Sequence, residues 1–337
     1  MKDETISGKY RLLRLLGEGA AGIVWEAENV FVGRRVAVKI LHPSVASQPE
    51  MQQRFLAEAR LSAKLAHPNV VDVYDLGRTD DGTPYIVMEL LDGETLEKML
   101  VRRRRLPAQF ACDLMMQVLG TLVAAHNLQI VHRDLKPANI MLVYPRPDQP
   151  LVKVLDFGVA QGIQAEGLAA DAGLLFGTPE YMAPEQATGA EVDARCDLYA
   201  AGAILYELMA GVPVFSGSST TAVLARVLSA QPEPLHNLAR DIPRDLEAVV
   251  MSALAKDPAG RPSSAKEMSS LISRFATKGS TFTTVQMSER PMMLTQKKRQ
   301  PKKKLELVVQ SSVPPRPGSR APRHSARPAS LKPPRKK

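Results

Sequence analysis

The chain has 337 residues, of which 45% are apolar and 23% are charged. This balance supports a packed core and excludes a wholly disordered or collagen-like protein. The longest apolar stretch, over residues 198–215, is interrupted by a glutamate, two glycines and a proline, so we predict no transmembrane anchor. The N-terminus lacks the basic-then-apolar order of a signal peptide, and the two cysteines lie far apart in the chain, which favours a reducing, cytoplasmic location.

The net charge of +9 is unevenly distributed along the chain. Residues 278–337 carry 16 Lys and Arg against two Glu, a balance of +14, whereas residues 1–277 carry −5. The same segment holds nine of the 26 prolines, and a segment of this composition cannot offset the entropy cost of folding. We therefore predict a disordered, basic, Pro-rich tail over 278–337. It would contact anionic membranes, or polyanions such as nucleic acids without sequence specificity. A tail that only solubilises the protein is the alternative.

The first motif lies near the N-terminus, where residues 17–24 read G-x-G-x-x-G-x-V. Glycines at this spacing let backbone amides approach phosphate oxygens. The motif is not followed by a helix, and no Lys-Ser or Lys-Thr pair follows its last glycine, so neither a dinucleotide-binding nor a P-loop interpretation fits. β-branched residues over 23–27 and 36–41, separated by a turn at Gly33, instead predict two antiparallel strands.

A lysine and a glutamate in this first lobe are predicted to pair. Alternation along the second strand places Ala37 and Lys39 on one face, which leaves space for a base beside an ammonium group. A helical stripe between residues 50 and 65 places Glu58 on the inward face of a helix. A buried lysine needs such a partner to stay charged. A lysine that only protects a sheet edge is the alternative.

Beyond residue 95 the hydrophobic pattern becomes helical. The segments 110–119 and 198–207 are too apolar to be surface helices. A strand-rich first lobe therefore precedes a mainly helical second lobe.

The second motif is H-R-D-L-K-P-A-N at residues 132–139, followed by D-F-G at 156–158. Two carboxylates, a carboxamide and a lysine in this short stretch can hold a divalent metal and a hydroxyl nucleophile together. With the glycine motif, V-A-V-K at 36–39 and A-P-E at 183–185 also in order, the chain resembles the eukaryotic-like (Hanks-type) Ser/Thr protein kinases of bacterial type.

This resemblance implies an α+β fold, the bilobal protein kinase fold, with a strand-rich N-lobe carrying one helix and a mainly helical C-lobe. The kinase domain would cover residues 10–275. Its N-lobe would span 10–88, the hinge 89–92 and the C-lobe 93–275.

The resemblance also assigns roles to the residues of the second motif. Asp134 would accept the proton of the substrate hydroxyl, and Lys136 would neutralise charge on the transferring phosphoryl group. Asn139 and Asp156 would bind Mg2+, or Mn2+ in its place.

The nucleotide implied by the resemblance is ATP. Lys39, held by Glu58, would contact its α- and β-phosphates, and the hinge that follows a gatekeeper at Met88 would pair with adenine. The residues assigned to nucleotide binding are Leu16, Gly17, Glu18, Gly19, Ala20, Ala21, Gly22, Ile23, Val24, Ala37, Lys39, Glu58, Glu89, Leu91 and Met141.

Other positions match or depart from the family pattern. Glu185 has its expected partner in Arg261, and Asp197 would hold the backbone of the catalytic loop. Ser62 stands where an apolar residue often packs on the Phe of D-F-G, so we expect looser packing there.

These features predict an ATP-dependent kinase that transfers the γ-phosphoryl group to Ser or Thr hydroxyls of protein substrates. Lys136 and the residues around Thr178 resemble Ser/Thr rather than Tyr kinases. The alternative is a pseudokinase scaffold that binds nucleotide and carries a polyanion-binding tail.

The segment from Asp156 to Gly177 contains no Ser, Thr or Tyr. We therefore expect activity that does not depend on phosphorylation within this segment, with Glu166 or Asp171 supplying a fixed negative charge to Arg133. The check is phosphatase treatment of the purified protein followed by an activity assay. Loss of activity that returns only with phosphorylation of Thr178 would contradict this prediction.

Overall fold

In a computed structural model, the chain is described at residues 4–19, 22–146, 149–157 and 178–277. The predicted tail at 278–337 and the whole segment 158–177, with Glu166 and Asp171, lie outside these residues. The described residues form a sheet-based first lobe and a mainly helical second lobe.

A six-stranded antiparallel sheet, in the order β1-β2-β3-β4-β6-β5, builds the first lobe. Its strands are β1 (Thr5–Ile6), β2 (Tyr10–Gly19), β3 (Gly22–Asn29), β4 (Arg34–Leu41), β5 (Val73–Arg78) and β6 (Pro84–Met88). The two predicted strands are β3 and β4, and Gly33 adopts a φ of 67° at their turn, a conformation that glycine accepts without strain.

Strand β4 is buried along six consecutive residues because both faces of the sheet are covered. Val36, Val38 and Ile40 pack into one apolar cluster, while Leu41 joins a second cluster with Phe55 of the lobe's main helix. This two-sided packing is the period-two alternation expected of a strand. It directs Lys39 to the face that carries the helix.

Two helices belong to the first lobe. The single turn α1 (Pro43–Ala46) leads into α2 (Pro49–Lys64), and both have proline in the first turn, where its missing N–H costs nothing. Helix α2 lies where the sequence predicts a helix and buries Glu58 as expected. One turn of helix leaves no periodic signal in the sequence, so α1 was not predicted.

The second lobe contains most of the helices and a small three-stranded sheet in the order β7-β8-β9. These elements are β7 (Gly93–Thr95), α3 (Leu96–Arg103), α4 (Ala108–Asn127), β8 (Ile140–Arg146), β9 (Gln149–Val154), α5 (Pro184–Thr188), α6 (Arg195–Ala210), α7 (Thr220–Ser229), α8 (Leu235–Leu238), α9 (Arg244–Ala253) and α10 (Ala265–Ser273).

Helices α4 and α6 form the centre of the second lobe. They include the two segments that the sequence marks as too apolar for the surface, and both are largely buried in one apolar cluster. Helix α4 is long and apolar enough to cross a membrane by length and composition, yet most of that stretch is covered inside the domain. In the described residues it therefore packs as a core helix.

A buried ion pair joins α5 to the segment before α10. The Arg261 guanidinium donates to both carboxylate oxygens of Glu185 at 2.6 and 2.7 Å, and the side chains are 0% and 8% exposed. Arg261 also donates to the carbonyl oxygens of Arg195, Ala255 and Lys256. The pair that the sequence predicts is therefore present, and the Arg261 guanidinium makes five hydrogen bonds in total.

We expect Arg261→Met to lower the free energy of unfolding by about 3–5 kcal/mol, because it leaves the Glu185 carboxylate buried without its partner. The exposed pair between Arg105 and Asp241 offers a matched control, and Asp241→Asn should cost no more than about 1 kcal/mol. Urea unfolding of the full chain measures both. Equal losses in the two variants would show that burial does not set the strength of the pair.

Candidate active site

Lys39 connects the two lobes at the centre of the cleft. Its Nζ lies 2.8 Å from Oδ1 of Asp156 and 3.7 Å from Oε1 of Glu58. The Lys39 and Glu58 side chains are 7% and 5% exposed, whereas Asp156 is 33% exposed. The structure therefore brings together the lysine, the glutamate and the aspartate that the sequence placed in one site, with Asp156 as the nearer acid.

The charges in this group act on one another. Burial alone would lower the pKa of Lys39, but Asp156 and Glu58 outweigh burial and raise that pKa. Burial raises the pKa of Glu58, and Lys39 opposes this rise. For Asp156, burial is again outweighed, because Lys39 and Lys136 are among the charges that hold the carboxyl pKa below its ordinary value. Asp156 is thus an anion within electrostatic reach of both lysines.

The catalytic loop brings together the three residues that the sequence assigned to catalysis. Nζ of Lys136 lies 2.8 Å from Oδ2 of Asp134. The Asn139 amide nitrogen donates to the backbone oxygen of Asp134 at 2.9 Å and to its Oδ2 at 3.1 Å. Asn139 lies in a short 3-10 helix that begins at Pro137, which fixes its direction just before β8.

A buried carboxylate on helix α6 holds this loop. Asp197 is 1% exposed and accepts hydrogen bonds of 2.8 Å from the backbone N–H groups of His132 and Arg133. A third bond of 2.8 Å joins Asp197 to Nε2 of His126. Arg133 has a φ of 64°, a left-handed conformation that costs a non-glycine residue about 1–3 kcal/mol. Asp197 thus holds the loop backbone as predicted, at the strained residue before Asp134.

The glycine motif forms the tip of the β2–β3 hairpin. Gly19 pairs with Gly22 across the hairpin, followed by Glu18 with Ile23 and Gly17 with Val24; Ala20 and Ala21 lie outside the described residues. Among the described residues, a Cβ on Gly17 or Gly19 would meet no atom within 4 Å, whereas one on Gly22 would lie 2.4 Å from the Ile40 carbonyl oxygen. Gly22 is therefore required by close packing on β4, and the first two glycines leave open space.

Strand register relates several of the other predicted nucleotide contacts to one another. Strand register places Lys39 opposite Val24 and Ala37 opposite Met88, so these four side chains share one face of the sheet. The other predicted contacts belong to separate elements. Leu16 is exposed on β2, Glu89 and Leu91 lie in the connection between β6 and β7, and Met141 lies in β8.

The donor set at the cleft suits a hard divalent cation. Asp156 offers a partly exposed carboxylate, and the nitrogen of the Asn139 amide is bonded to Asp134, so the amide oxygen is the atom available to a cation. Oxygen ligands from one or two side chains, completed by phosphates, are typical of Mg2+ sites. Within the described residues, no group of three or more His, Cys, Asp and Glu forms a self-sufficient metal cage. The residues present fit a cation that is shared with phosphates.

The family model of the protein kinase domain matches residues 10–271. The chain belongs to the protein kinase family. The resemblance to this family and the bilobal kinase fold are thereby confirmed. Protein kinases use ATP together with a divalent metal ion.

Curated bacterial kinases and a solved kinase domain are similar to this kinase chain. It is 43% identical to the serine/threonine-protein kinase Pkn1 of Myxococcus xanthus, over 75% of the chain and 36% of Pkn1. It is 40% identical to the serine/threonine-protein kinase PknA of Mycobacterium tuberculosis, over 76% of the chain and 59% of PknA. The crystal structure of the PknI kinase domain from M. tuberculosis has a TM-score of 0.65 at 30% identity, covering 82% of the chain and 99% of that domain. The chain thus spans less than two thirds of these curated relatives.

The structure adds contacts to the candidate site that the sequence motifs do not indicate. Gln186 donates to the carbonyl oxygen of Arg133 at 2.8 Å, and Lys153 lies 2.7 Å from the carboxylate of Glu89. A lysine within the apolar stretch that precedes D-F-G was a visible signal for the second contact. Its partner could not be inferred, because the two residues are far apart in the chain.

We expect Asp197→Asn to remove part of the protein's stability in a pH-dependent way. Burial would raise the pKa of Asp197, but hydrogen bonds and the charges of His126 and His132 hold it below the ordinary value. A depressed carboxyl pKa contributes stability that is complete above the unfolded value of about 4 and is lost as pH falls through the folded value. The unfolding free energies of wild type and variant should therefore differ most near pH 7 and converge below pH of about 4.

Urea unfolding at several pH values measures this difference. Asp80→Asn, at an exposed position in the turn after β5, is the control and should change the free energy of unfolding by less than about 0.5 kcal/mol. A constant gap between wild type and Asp197→Asn from neutral to acid pH would contradict the prediction.

Proposed function

We propose that this chain is an ATP-dependent protein kinase that transfers the γ-phosphoryl group to Ser or Thr hydroxyls of proteins. The observation that carries the proposal is that two ion pairs, one from each half of the site, lie at one cleft. Lys39 contacts Asp156 at 2.8 Å, and Asp134 contacts Lys136 at 2.8 Å. The names of the similar bacterial proteins, serine/threonine-protein kinases, support the same activity.

The arrangement suits phosphoryl transfer because that reaction depends on positioning and on positive charge at the phosphate oxygens. In the proposed step the substrate hydroxyl oxygen forms a bond to the γ-phosphorus while the bond to the β-phosphate oxygen breaks. The hydroxyl proton passes to the Asp134 carboxylate, and ADP leaves. Lys136, beside Asp134, would stabilise negative charge on the transferring group.

The group formed by Lys39, Glu58 and Asp156 would orient the nucleotide. Lys39 is held by two acids, so its ammonium group is charged and directed at the cleft, where it would contact the α- and β-phosphates. Mg2+, or Mn2+ in its place, would be held by Asp156 and Asn139 and would supply charge neutralisation at the phosphates. The sheet face with Val24, Ala37 and Met88 would cover the adenine ring.

A hydroxyl of Ser or Thr is the proposed acceptor. Lys136 lies two residues after Asp134 and contacts its carboxylate, which is the pattern that resembles Ser/Thr kinases. Thr178 lies directly before the turn that begins at Pro179, where the family docks its substrate.

The tail and the location of the protein stay predictions. Residues 278–337 lie outside the described residues, and their +14 balance is the support for contact with polyanions or anionic membranes. The cytoplasmic location rests on the two widely separated cysteines, which favour a reducing compartment.

We expect Asp134→Asn to reduce phosphoryl transfer by at least about a hundredfold while nucleotide affinity stays nearly unchanged, because the general-base and positioning contribution is of that size. Lys39→Met should also abolish turnover. Radiolabelled ATP with a generic basic protein and Mg2+ or Mn2+ measures transfer, and Asp80→Asn is the matched surface control. Wild-type protein that binds ATP without any transfer would instead support the pseudokinase scaffold.

A further inference from the structure

Lys153 is a buried lysine in the strand that leads to Asp156. It lies on β9 and is 8% exposed. Its ammonium group lies 2.7 Å from Oε2 of Glu89 and donates to the carbonyl oxygen of Val70 at 3.3 Å. A buried ammonium group requires such partners, and Glu89 belongs to the predicted hinge. The contact therefore joins the strand before D-F-G to the connection between the lobes.

Strand register shows which side of the hairpin Lys153 occupies. Lys153 is the cross-strand partner of Met141 in the antiparallel β8–β9 pair, and directly opposed residues direct their side chains to the same face. Met141 is a predicted nucleotide contact. Lys153 thus lies on the same face of the hairpin as that contact.

Backbone contacts connect the same parts of the molecule. The N–H of Val154 donates to the carbonyl oxygen of Asn69 at 2.7 Å. The N–H of Val71 donates to the carbonyl oxygen of Val154 at 3.3 Å. The N–H of Glu89 donates to the carbonyl oxygen of Asp72 at 2.9 Å. Residues 69–72 therefore lie between β9 and the hinge, and the Lys153–Glu89 contact closes this link through side chains.

We propose that Lys153 is a positioning residue for nucleotide binding, acting through Glu89 on the hinge that would pair with adenine. The proposal rests on the proposed function in that the cleft binds ATP. Without the lysine, the Glu89 carboxylate, whose side chain is 28% exposed, loses its cation and turns toward water. The hinge then loses its side-chain restraint relative to β9, and only the backbone bonds through residues 69–72 remain.

The consequence should be specific to the base. The triphosphate would be held by Lys39 on β4 and by the β2–β3 hairpin, which the Lys153–Glu89 contact does not touch. We therefore expect Lys153→Met to weaken ATP binding about tenfold, the size of one lost hydrogen bond. Binding of inorganic tripolyphosphate with Mg2+ should change by less than about twofold, because this ligand has no base.

Titration calorimetry of the full chain with ATP and with tripolyphosphate, both with Mg2+, measures the two affinities. Lys153→Arg should recover most of the ATP affinity, and Glu89→Gln should lose about as much as Lys153→Met. The double variant should lose little more than either single one, because both remove the same contact. Lys98→Met, at an exposed position on α3, is the matched control and should bind ATP like wild type.

Steady-state kinetics supply the second readout. Lys153→Met should raise KM for ATP about tenfold and leave kcat within about twofold, since the catalytic loop is unchanged. An equal loss of ATP and tripolyphosphate binding would show a general structural defect and overturn the proposal. Unchanged ATP affinity in Lys153→Met would overturn it as well.

The outcomes separate this inference from the proposed function. If Lys153→Met loses ATP binding but not tripolyphosphate binding, and wild type transfers no phosphoryl group, the kinase activity is refuted and the role of Lys153 is supported. Transfer by wild type without base-specific loss in Lys153→Met refutes the role of Lys153 alone. A wild-type chain that does not bind ATP overturns both.

Discussion

The buried carboxylate of Asp197 is the constraint on which the catalytic loop depends. Helix α6 is almost entirely apolar and buried, so a charge within it must be satisfied by groups that come to it. The donors are the backbone N–H groups of His132 and Arg133 together with the His126 ring. The core of the second lobe thereby determines the path of the loop, including the left-handed conformation at Arg133. Asp134 follows directly and takes its direction from that anchored turn.

The cleft is held together by charges that come from both lobes. Lys39 is on a strand of the first lobe and Asp156 follows a strand of the second, and their contact at 2.8 Å is shorter than the contact with Glu58 at 3.7 Å. Asp156 also adopts a φ of 54°, so a strained backbone and a cross-lobe ion pair coincide at the proposed metal ligand. Strain at such a position persists only where surrounding contacts determine it.

Glycines in the phosphate-loop motif serve two separate physical needs. Gly22 lies where a side chain would collide with the backbone of β4, so its requirement comes from sheet packing. Gly17 and Gly19 have no neighbour within 4 Å of a Cβ in the part of the chain that the structure describes, which is the arrangement that a bound phosphate needs. The fold and the proposed site therefore use different glycines of one motif, although the sequence shows them as a single pattern.

The sequence by itself determined the order of the lobes, strands β3 and β4, helix α2 and the apolar segments of α4 and α6, whereas the roles of Asp134 and Asp156 came from the resemblance to protein kinases. These features follow from local rules: alternation along β4 places Lys39 on the covered face, and helical spacing places Glu58 inward. Only the tertiary structure decided that Asp156 is the nearer partner of Lys39. It also decided that His126 binds the Asp197 carboxylate and that Lys153 pairs with Glu89. Each of these contacts joins residues far apart in the chain, where periodicity and spacing carry no information. Their distances are decided by how strands and helices pack against one another.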